Sequence, residues 1–171
     1  MSPPAATPVT SLDSLVAAHP ESLGELFAAG RATDPAELGD TPRGKVLAFA
    51  HGADVFLVFR PILRALGSGL MPWRGKTFDH GGNSGQNVLG GRRAFRFQAE
   101  VGASQRDGRP ALVLTYGAAA HGNPWPVSAL RDELRTVGPG VAIGPAFFLA
   151  AGGSAPIALL WFGLENASRP G

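Results

Sequence analysis

Four side chains of the kinds that move protons occur at three separate places after residue 75: Lys76, Tyr116, and the adjacent pair Asp132 and Glu133. Lys76 is one of two lysines and lies among aromatic residues. In a water-free position it would bind an anion or act as a base with a lowered pKa. The alternative, which we take as the default, is an exposed strand lysine whose stem covers Trp73.

Tyr116 is the only tyrosine, and it follows a stretch in which the alternate residues Leu112 and Leu114 are apolar. In a strand these three side chains lie on one face, so the tyrosine hydroxyl is expected to point inward with the leucines. There it would hydrogen-bond a ligand carbonyl. The alternative is a tyrosine at the rim of the fold with its hydroxyl in water.

The densest charge cluster is Arg-Asp-Glu-Leu-Arg at residues 131–135. If this segment is a strand, Asp132 faces one side and Glu133 faces the other. One acid then points inward, and a buried carboxylate needs a partner, which Arg96 or Lys76 could supply. Such a pair suits general acid–base catalysis. A solvated, self-paired surface ladder is the alternative.

Several other chemistries are excluded or not indicated. The chain has no cysteine, which excludes a disulfide scaffold, a thiolate zinc site, an iron–sulfur cluster and a cysteine nucleophile. The histidines do not stand at metal-ligand spacings, so we expect no metal and no cofactor. The loop at residues 81–85 lacks the ending of a phosphate loop, and there is no serine-hydrolase elbow. The net charge is only +2 and the basic residues are scattered, so we expect no nucleic-acid partner.

Composition and length predict one turn-rich domain. Glycine (24) and proline (15) make up nearly a quarter of the 171 residues, which favours many turns over long helices. We expect a disordered leader at residues 1–10 and a single domain at 11–168. The N-terminus lacks the basic and apolar regions of an export signal, so we expect a cytoplasmic protein.

The first third of the chain predicts helices. Residues 11–18 and 22–29 are expected to form two short ones, separated by Pro20, with Ser22 and Glu25 at capping-box spacing in the second. Apolar residues at helical spacing predict a further helix at 54–66, which would cover one end of the sheet. Pro61 within it predicts either a kink or a strand followed by a helix.

From Pro72 onward the sequence predicts β-strands. Residues 93–101 alternate so that Phe95 and Phe97 face one side. The charge-free run 136–164 is long enough for a membrane helix, but its glycines and prolines favour two buried antiparallel strands. Further strands are predicted at 45–50, 111–116, 141–149 and 156–164, while 131–137 is either a strand or a helix.

The strand at 141–150 has one bulky face and one mostly small face. Small inward residues leave space in a β-barrel that holds one small ligand, although they could instead accommodate a packed helix. We therefore expect a mainly β protein with an antiparallel barrel and a cavity. The candidate ligand-binding residues are Trp73, Phe95, Arg96, Phe97, Phe147 and Trp161.

Two segments carry a resemblance to known proteins. Residues 73–78 read Trp-x-Gly-Lys-x-Phe, and residues 131–144 read Arg-Asp-Glu-Leu-Arg-x-Val-x-Pro-Gly-Val-x-Ile-Gly. In this order they resemble segments of small uncharacterised bacterial proteins, which are distantly similar to GXWXG/DUF4334-type proteins. The resemblance implies a lipocalin-like β-barrel, to which the residue pattern adds N-terminal helices and a capping helix. It implies no reaction.

Three functions remain open at this point. The first is binding of one small apolar molecule, lipid- or polyketide-like, inside the barrel. The second is a cofactor-independent isomerase or cyclase, in which Tyr116 and Lys76 polarise a carbonyl and Asp132 or Glu133 moves a proton. The third is a non-catalytic interaction protein with an exposed apolar patch. The oligomeric state is left open.

Overall fold

The computed structural model of the protein describes residues 9–50 and 73–168. Two α-helices occur in them, α1 at Pro20–Ala29 and α2 at Pro35–Leu38, and 3-10 turns lie at Leu12–Leu15, Ala119–His121 and Val127–Ala129. The strands are β1 (Arg31–Ala32), β2 (Arg43–Phe49), β3 (Trp73–Phe78), β4 (Ser84–Leu89), β5 (Arg92–Ala103), β6 (Pro110–Thr115), β7 (Leu130–Gly138), β8 (Val141–Phe148) and β9 (Ile157–Glu165).

Strands β2 to β9 form a closed antiparallel barrel. Each strand pairs with the next along the chain, and β9 pairs with β2 to close the sheet. The short β1 pairs with the end of β7. An eight-stranded barrel has an interior just wide enough to be filled by side chains or to hold one small ligand. The predicted mainly β barrel is therefore confirmed.

The barrel wall separates two apolar cores. The inner core includes Phe97, Leu114 and Leu134 and fills much of the barrel. The outer core packs the N-terminal segment and α1 against the outside of the wall, with Phe27 against Trp161. Successive side chains of a strand point to opposite faces of the wall. Because the N-terminal segment covers part of the outer face, apolar side chains are buried on both faces there and form two cores.

Strand β8 shows this alternation most clearly. Ala142 and Ala146 belong to the inner core, whereas Val141 and Ile143 belong to the outer core. The prediction that small residues face the barrel interior is confirmed. The bulky outer side chains contact the helical segment, and the small inner ones leave room inside the barrel.

The helical segment differs from the sequence prediction at its boundaries. Ser11 caps the first turn, as expected, but the helical part is only Leu12–Leu15. The prediction that α1 begins at Ser22 is wrong, because Pro20 starts the helix and His19 caps it through a bond from the Glu21 N–H. Proline suits the first helical position because its missing N–H would have no helical partner there.

The ambiguous and charge-free segments are strands. Residues 131–137 lie in β7, and the run 136–164 contains β8 and β9 rather than one long helix. Among the described residues, no helix combines the length and apolar character needed to cross a bilayer. The predicted helix at 54–66, together with most of the predicted leader, lies outside the described residues.

Candidate functional site

A β-bulge in β3 places the large side chains of the Trp-x-Gly-Lys-x-Phe segment inside the barrel. The β3–β4 register shifts between Trp73 and Gly75, so Arg74 is an extra residue. Gly75 has a φ of 138°, and a Cβ there would lie 2.2 Å from the Pro42 carbonyl oxygen. Only glycine permits this approach of β3 to the preceding chain. As a result Trp73 and Lys76, three residues apart, both line the interior.

Four buried polar side chains from different strands form the inner polar cluster: Lys76, Asn87, Tyr116 and Asp132. Lys76 Nζ donates to Asp132 Oδ2 at 2.8 Å and to the Tyr116 hydroxyl at 2.7 Å. Its third bond goes to Asn87 Oδ1 at 2.8 Å. The Tyr116 hydroxyl donates to Asp132 Oδ2 at 2.6 Å and accepts from Asn87 Nδ2 at 3.1 Å. The cluster thus joins β3, β4, β7 and the end of β6 through one connected network.

Burial sets the electrostatics of this cluster. Lys76 is only 2% exposed, so the default interpretation of an exposed lysine is wrong. Burial lowers the pKa of Lys76, and the charge of Asp132 opposes this only in part. Burial, followed by the charge of Asp132, raises the pKa of Tyr116 well above its usual value, so the phenol stays protonated.

Aromatic rings surround the Lys76 ammonium. Its Nζ lies 5.2 Å from the ring centroid of Phe97, 5.3 Å from Phe162, 5.4 Å from Tyr116 and 5.7 Å from Trp73. Such rings attract a cation through their negative faces. The surrounding rings and Asp132 together explain how a lysine is accommodated in the barrel interior.

A cavity of about 120 Å³ borders the inner polar cluster. Apart from the cluster, its lining is apolar and includes Trp73, Phe95, Ala146, Leu160 and Phe162. The described residues leave this cavity partly open to the exterior. An apolar pocket with a few convergent polar groups has the general form of a small-molecule site.

A second bulge presents Phe95 to the cavity. The β4–β5 register shifts between Gln86 and Asn87, which leaves Phe95 without a direct partner across the ladder. Its φ is 57°, a conformation that bulky residues rarely adopt. The predicted inward direction of Phe95 is confirmed, and the backbone is held in an uncommon conformation at the cavity wall.

Glu133 does not join the inner polar cluster. It faces the outer side of β7, where it accepts bonds from Ser104 Oγ at 2.5 Å, from the Gln105 N–H at 2.8 Å and from Arg131 Nε at 3.0 Å. Asp132 is therefore the inward acid, and Lys76 rather than Arg96 is its partner. Because neighbouring strand residues face opposite sides, Glu133 and Asp132 are separated by the barrel wall.

The remaining predicted ligand residues do not line the described cavity. Phe97 is fully buried in the inner core, with its ring against those of Phe78 and Tyr116. Arg96 is exposed, and Trp161 lies in the outer core. Phe147 is buried, but it follows the inward Ala146 and does not line the cavity. The expectation that Arg96, Phe97, Phe147 and Trp161 line the pocket is thus not met in the described cavity.

Sequence reasoning missed Asn87 and Phe162. Asn87 bridges the cluster, since its Oδ1 accepts from both Lys76 and the Trp73 indole N–H, the latter at 3.0 Å. Its only sequence signal is its position two residues before Leu89, which also lines the cavity. Phe162 follows Leu160 at the same spacing and also lines the cavity.

Comparisons with known proteins support the fold alone. No protein-family model and no curated protein matches the chain. Among solved structures, the chain is similar to a protein from Thermomonospora curvata, with 14% identity over 91% of this chain and 92% of the other, and a TM-score of 0.53. At this identity the likeness extends to the barrel and not to a shared site.

The described part of the chain contains no cluster of side chains that could bind a metal ion. No group of three or more histidine or acidic side chains is close enough together there to hold an ion. His80 is exposed in the β3–β4 connection, and His51 lies outside the described residues.

Proposed function

We propose that the protein binds one small, mainly apolar molecule inside its barrel. The observation that carries the proposal is the cavity of about 120 Å³ beside a buried lysine, tyrosine, aspartate and asparagine. Keeping four polar groups in a barrel interior is costly unless they are bonded. A filled apolar interior would stabilise the fold without them, so their presence at a cavity supports a role in orienting a guest.

The cavity volume limits the size of the bound part. An engineered apolar cavity of roughly 150 Å³ in another protein holds benzene. The described cavity therefore suits one six-membered ring or a short branched chain. Because it is partly open, a larger lipid- or polyketide-like molecule would insert one end and leave the rest outside.

Local backbone conformation also supports a site here. Bulges are common next to active sites, where they redirect side chains, and both Arg74 and Phe95 lie in bulges at the cavity. Unusual backbone conformations cluster at ligand sites. The Trp-x-Gly-Lys-x-Phe resemblance adds support, since Trp73, Gly75 and Lys76 are the residues of β3 on which the site depends. We propose on this basis that the chain is related to those lipocalin-like proteins.

Ligand extraction from protein purified from its own host tests the proposal. We expect mass spectrometry of the extract to find an apolar compound near one equivalent. Ala146→Phe fills the cavity and should remove this compound. Ala103→Phe, an equal change at an exposed position of β5, should retain it. The same compound in equal amount on both variants would contradict binding in the cavity.

A cofactor-independent isomerase or cyclase is the second candidate. The observation that favours it is the 2.6 Å hydrogen bond between Tyr116 and Asp132 beside the cavity, a pair of the kind used in general acid–base catalysis. If the extracted compound is turned over, Tyr116→Phe should lower the rate at least about tenfold without unfolding the protein. Unchanged turnover would remove Tyr116 from the mechanism.

A further inference from the structure

The inner polar cluster has already used the hydrogen-bond donors of Lys76 and Tyr116. An ammonium has three N–H groups, and those of Lys76 go to Asn87, Tyr116 and Asp132. A phenol has one O–H, and that of Tyr116 goes to Asp132. A ligand carbonyl would find no free donor on either side chain unless one of these bonds first broke.

The two remaining donors are engaged as well. Asn87 Nδ2 donates to the Tyr116 hydroxyl at 3.1 Å and to the Phe95 carbonyl at 3.4 Å. The indole N–H of Trp73 donates to Asn87 Oδ1. Every polar side chain that lines the cavity therefore has its donors directed at protein acceptors within the described residues.

One strong acceptor at the cavity is unused. Both bonds to the Asp132 carboxylate, from Lys76 and from Tyr116, end on Oδ2. Oδ1 accepts no hydrogen bond from any residue that the structure describes. The carboxylate lines the cavity, and its side chain keeps 9% exposure. Oδ1 is therefore a charged acceptor that no described side chain occupies, so a guest in the cavity that supplies an O–H or N–H to it binds more favourably than a guest that supplies none.

The charges around the cavity restrict the guest further. Lys76 and Asp132 form a pair with no net charge and are the only charged residues among the described ones that line the cavity, so these residues offer a charged ligand no counterion to offset its desolvation. An anion would meet the free oxygen of Asp132. A cation would find the four aromatic rings already occupied by the Lys76 ammonium.

We infer that the site selects a neutral apolar molecule whose polar group is a hydrogen-bond donor, above all an alcohol or phenol, which donates to Asp132 Oδ1. The inference rests on the proposed function and adds the class of ligand. Such a site would bind an alcohol more tightly than a ketone or a carboxylate of the same carbon skeleton. For the catalytic candidate, it makes Asp132 rather than Lys76 or Tyr116 the first contact of the substrate's polar group.

A titration of the wild-type protein with matched probes tests this class. Cyclohexanol, cyclohexanone and methylcyclohexane have similar volumes and differ in whether they offer the site a hydroxyl, a carbonyl or a methyl group. We expect cyclohexanol to bind at least about tenfold more tightly than cyclohexanone, because a hydrogen bond to a charged group is stronger than the typical neutral one. Equal or tighter binding of cyclohexanone would overturn the inference and leave cavity binding intact. No binding of any probe would overturn the proposed function and the inference together.

A variant provides an independent test. In Asp132→Asn the amide oxygen can accept from Lys76 and Tyr116, which turns the amide N–H₂ toward the cavity as a donor. We expect cyclohexanone to become the preferred probe. The control Asp40→Asn changes an exposed aspartate and should keep the preference for cyclohexanol. An Asp132→Asn protein that still prefers cyclohexanol as strongly as the wild type would contradict a contact at Oδ1.

Discussion

Strand β7 has buried charges on both faces, and the two faces differ in how completely they are bonded. On the outer face, all five N–H groups of Arg135 are used. Two go to the Asp107 carboxylate at 2.7 Å, and the others go to the carbonyls of Phe27, Arg109 and Pro110. Hydrogen bonds from the Arg135 guanidinium lower the pKa of Asp107 to about 2, although desolvation acts to raise it. This face joins α1 and the β5–β6 turn to the wall.

On the inner face, Asp132 uses one oxygen and leaves the other at a cavity. Both faces contain buried ions, so burial of charge alone does not distinguish a functional site from a structural one. The difference is unused bonding capacity next to empty space. The protein itself closes the outer cluster, whereas under the proposed function a bound ligand would complete the inner polar cluster.

The largest expected loss of stability follows from a substitution on the outer face of β7. Arg135→Ala removes five hydrogen bonds of a fully buried guanidinium, two to Asp107 and three to the carbonyls of Phe27, Arg109 and Pro110, so we expect the free energy of unfolding to fall by about 3–5 kcal/mol. Urea denaturation measures this, with Arg92→Ala as the control at an exposed position. The folded fraction of the variant should bind cyclohexanol as the wild type does. A loss below about 1 kcal/mol would show that the outer cluster does not hold the fold together.

A smaller loss of stability is expected from a substitution on the inner face of β7 and its partners. Lys76→Met leaves the Asp132 carboxylate without a cation, but the adjacent cavity admits water to it, so we expect a loss of about 2 kcal/mol. The double variant Lys76→Met/Asp132→Leu should recover part of this loss, because an apolar pair can replace a buried ion pair. Urea denaturation of both variants provides the comparison. A double variant no more stable than Lys76→Met would contradict the view that an apolar pair can replace this ion pair.

The sequence predicted an inward phenol and one inward acid, without deciding between Asp132 and Glu133. Asp132 lies in β7 and Tyr116 directly follows β6, so their faces follow from the period of two once these strands are known. The same regularity predicted the small inner face of β8. It also predicts that Glu133 lies apart from Asp132, which makes the two acids alternatives rather than partners.

The burial of Lys76 could not be predicted in the same way. Strict alternation places Lys76 and Trp73 on opposite faces, and only the bulge at Arg74 brings them together. That bulge depends on the contact of Gly75 with Pro42, which is far away in the sequence. Asn87 lies in a short polar strand with no strong pattern. Long-range contacts, rather than local preferences, therefore completed the cluster.

The smallest expected effect is a change of stability with pH that depends on Lys76. The folded pKa of Lys76 is below its unfolded value, so between the two the unfolded chain holds more protons and stability rises with pH. We expect the wild type to gain stability relative to Lys76→Met as pH rises toward about 10.4, the ordinary lysine value. Urea denaturation at several pH values that shows a constant or falling difference would contradict the lowered pKa.

The three tryptophans provide the most direct test of the central claim, which is that the inner face of the barrel binds a ligand and the outer face does not. Trp73 lines the cavity, Trp161 packs on Phe27 in the outer core, and Trp125 is 67% exposed. Their indole N–H signals can be followed by NMR during a titration with cyclohexanol. We predict a saturable shift at Trp73 with Trp161 unchanged. Saturable shifts at Trp161 with none at Trp73 would contradict the claim.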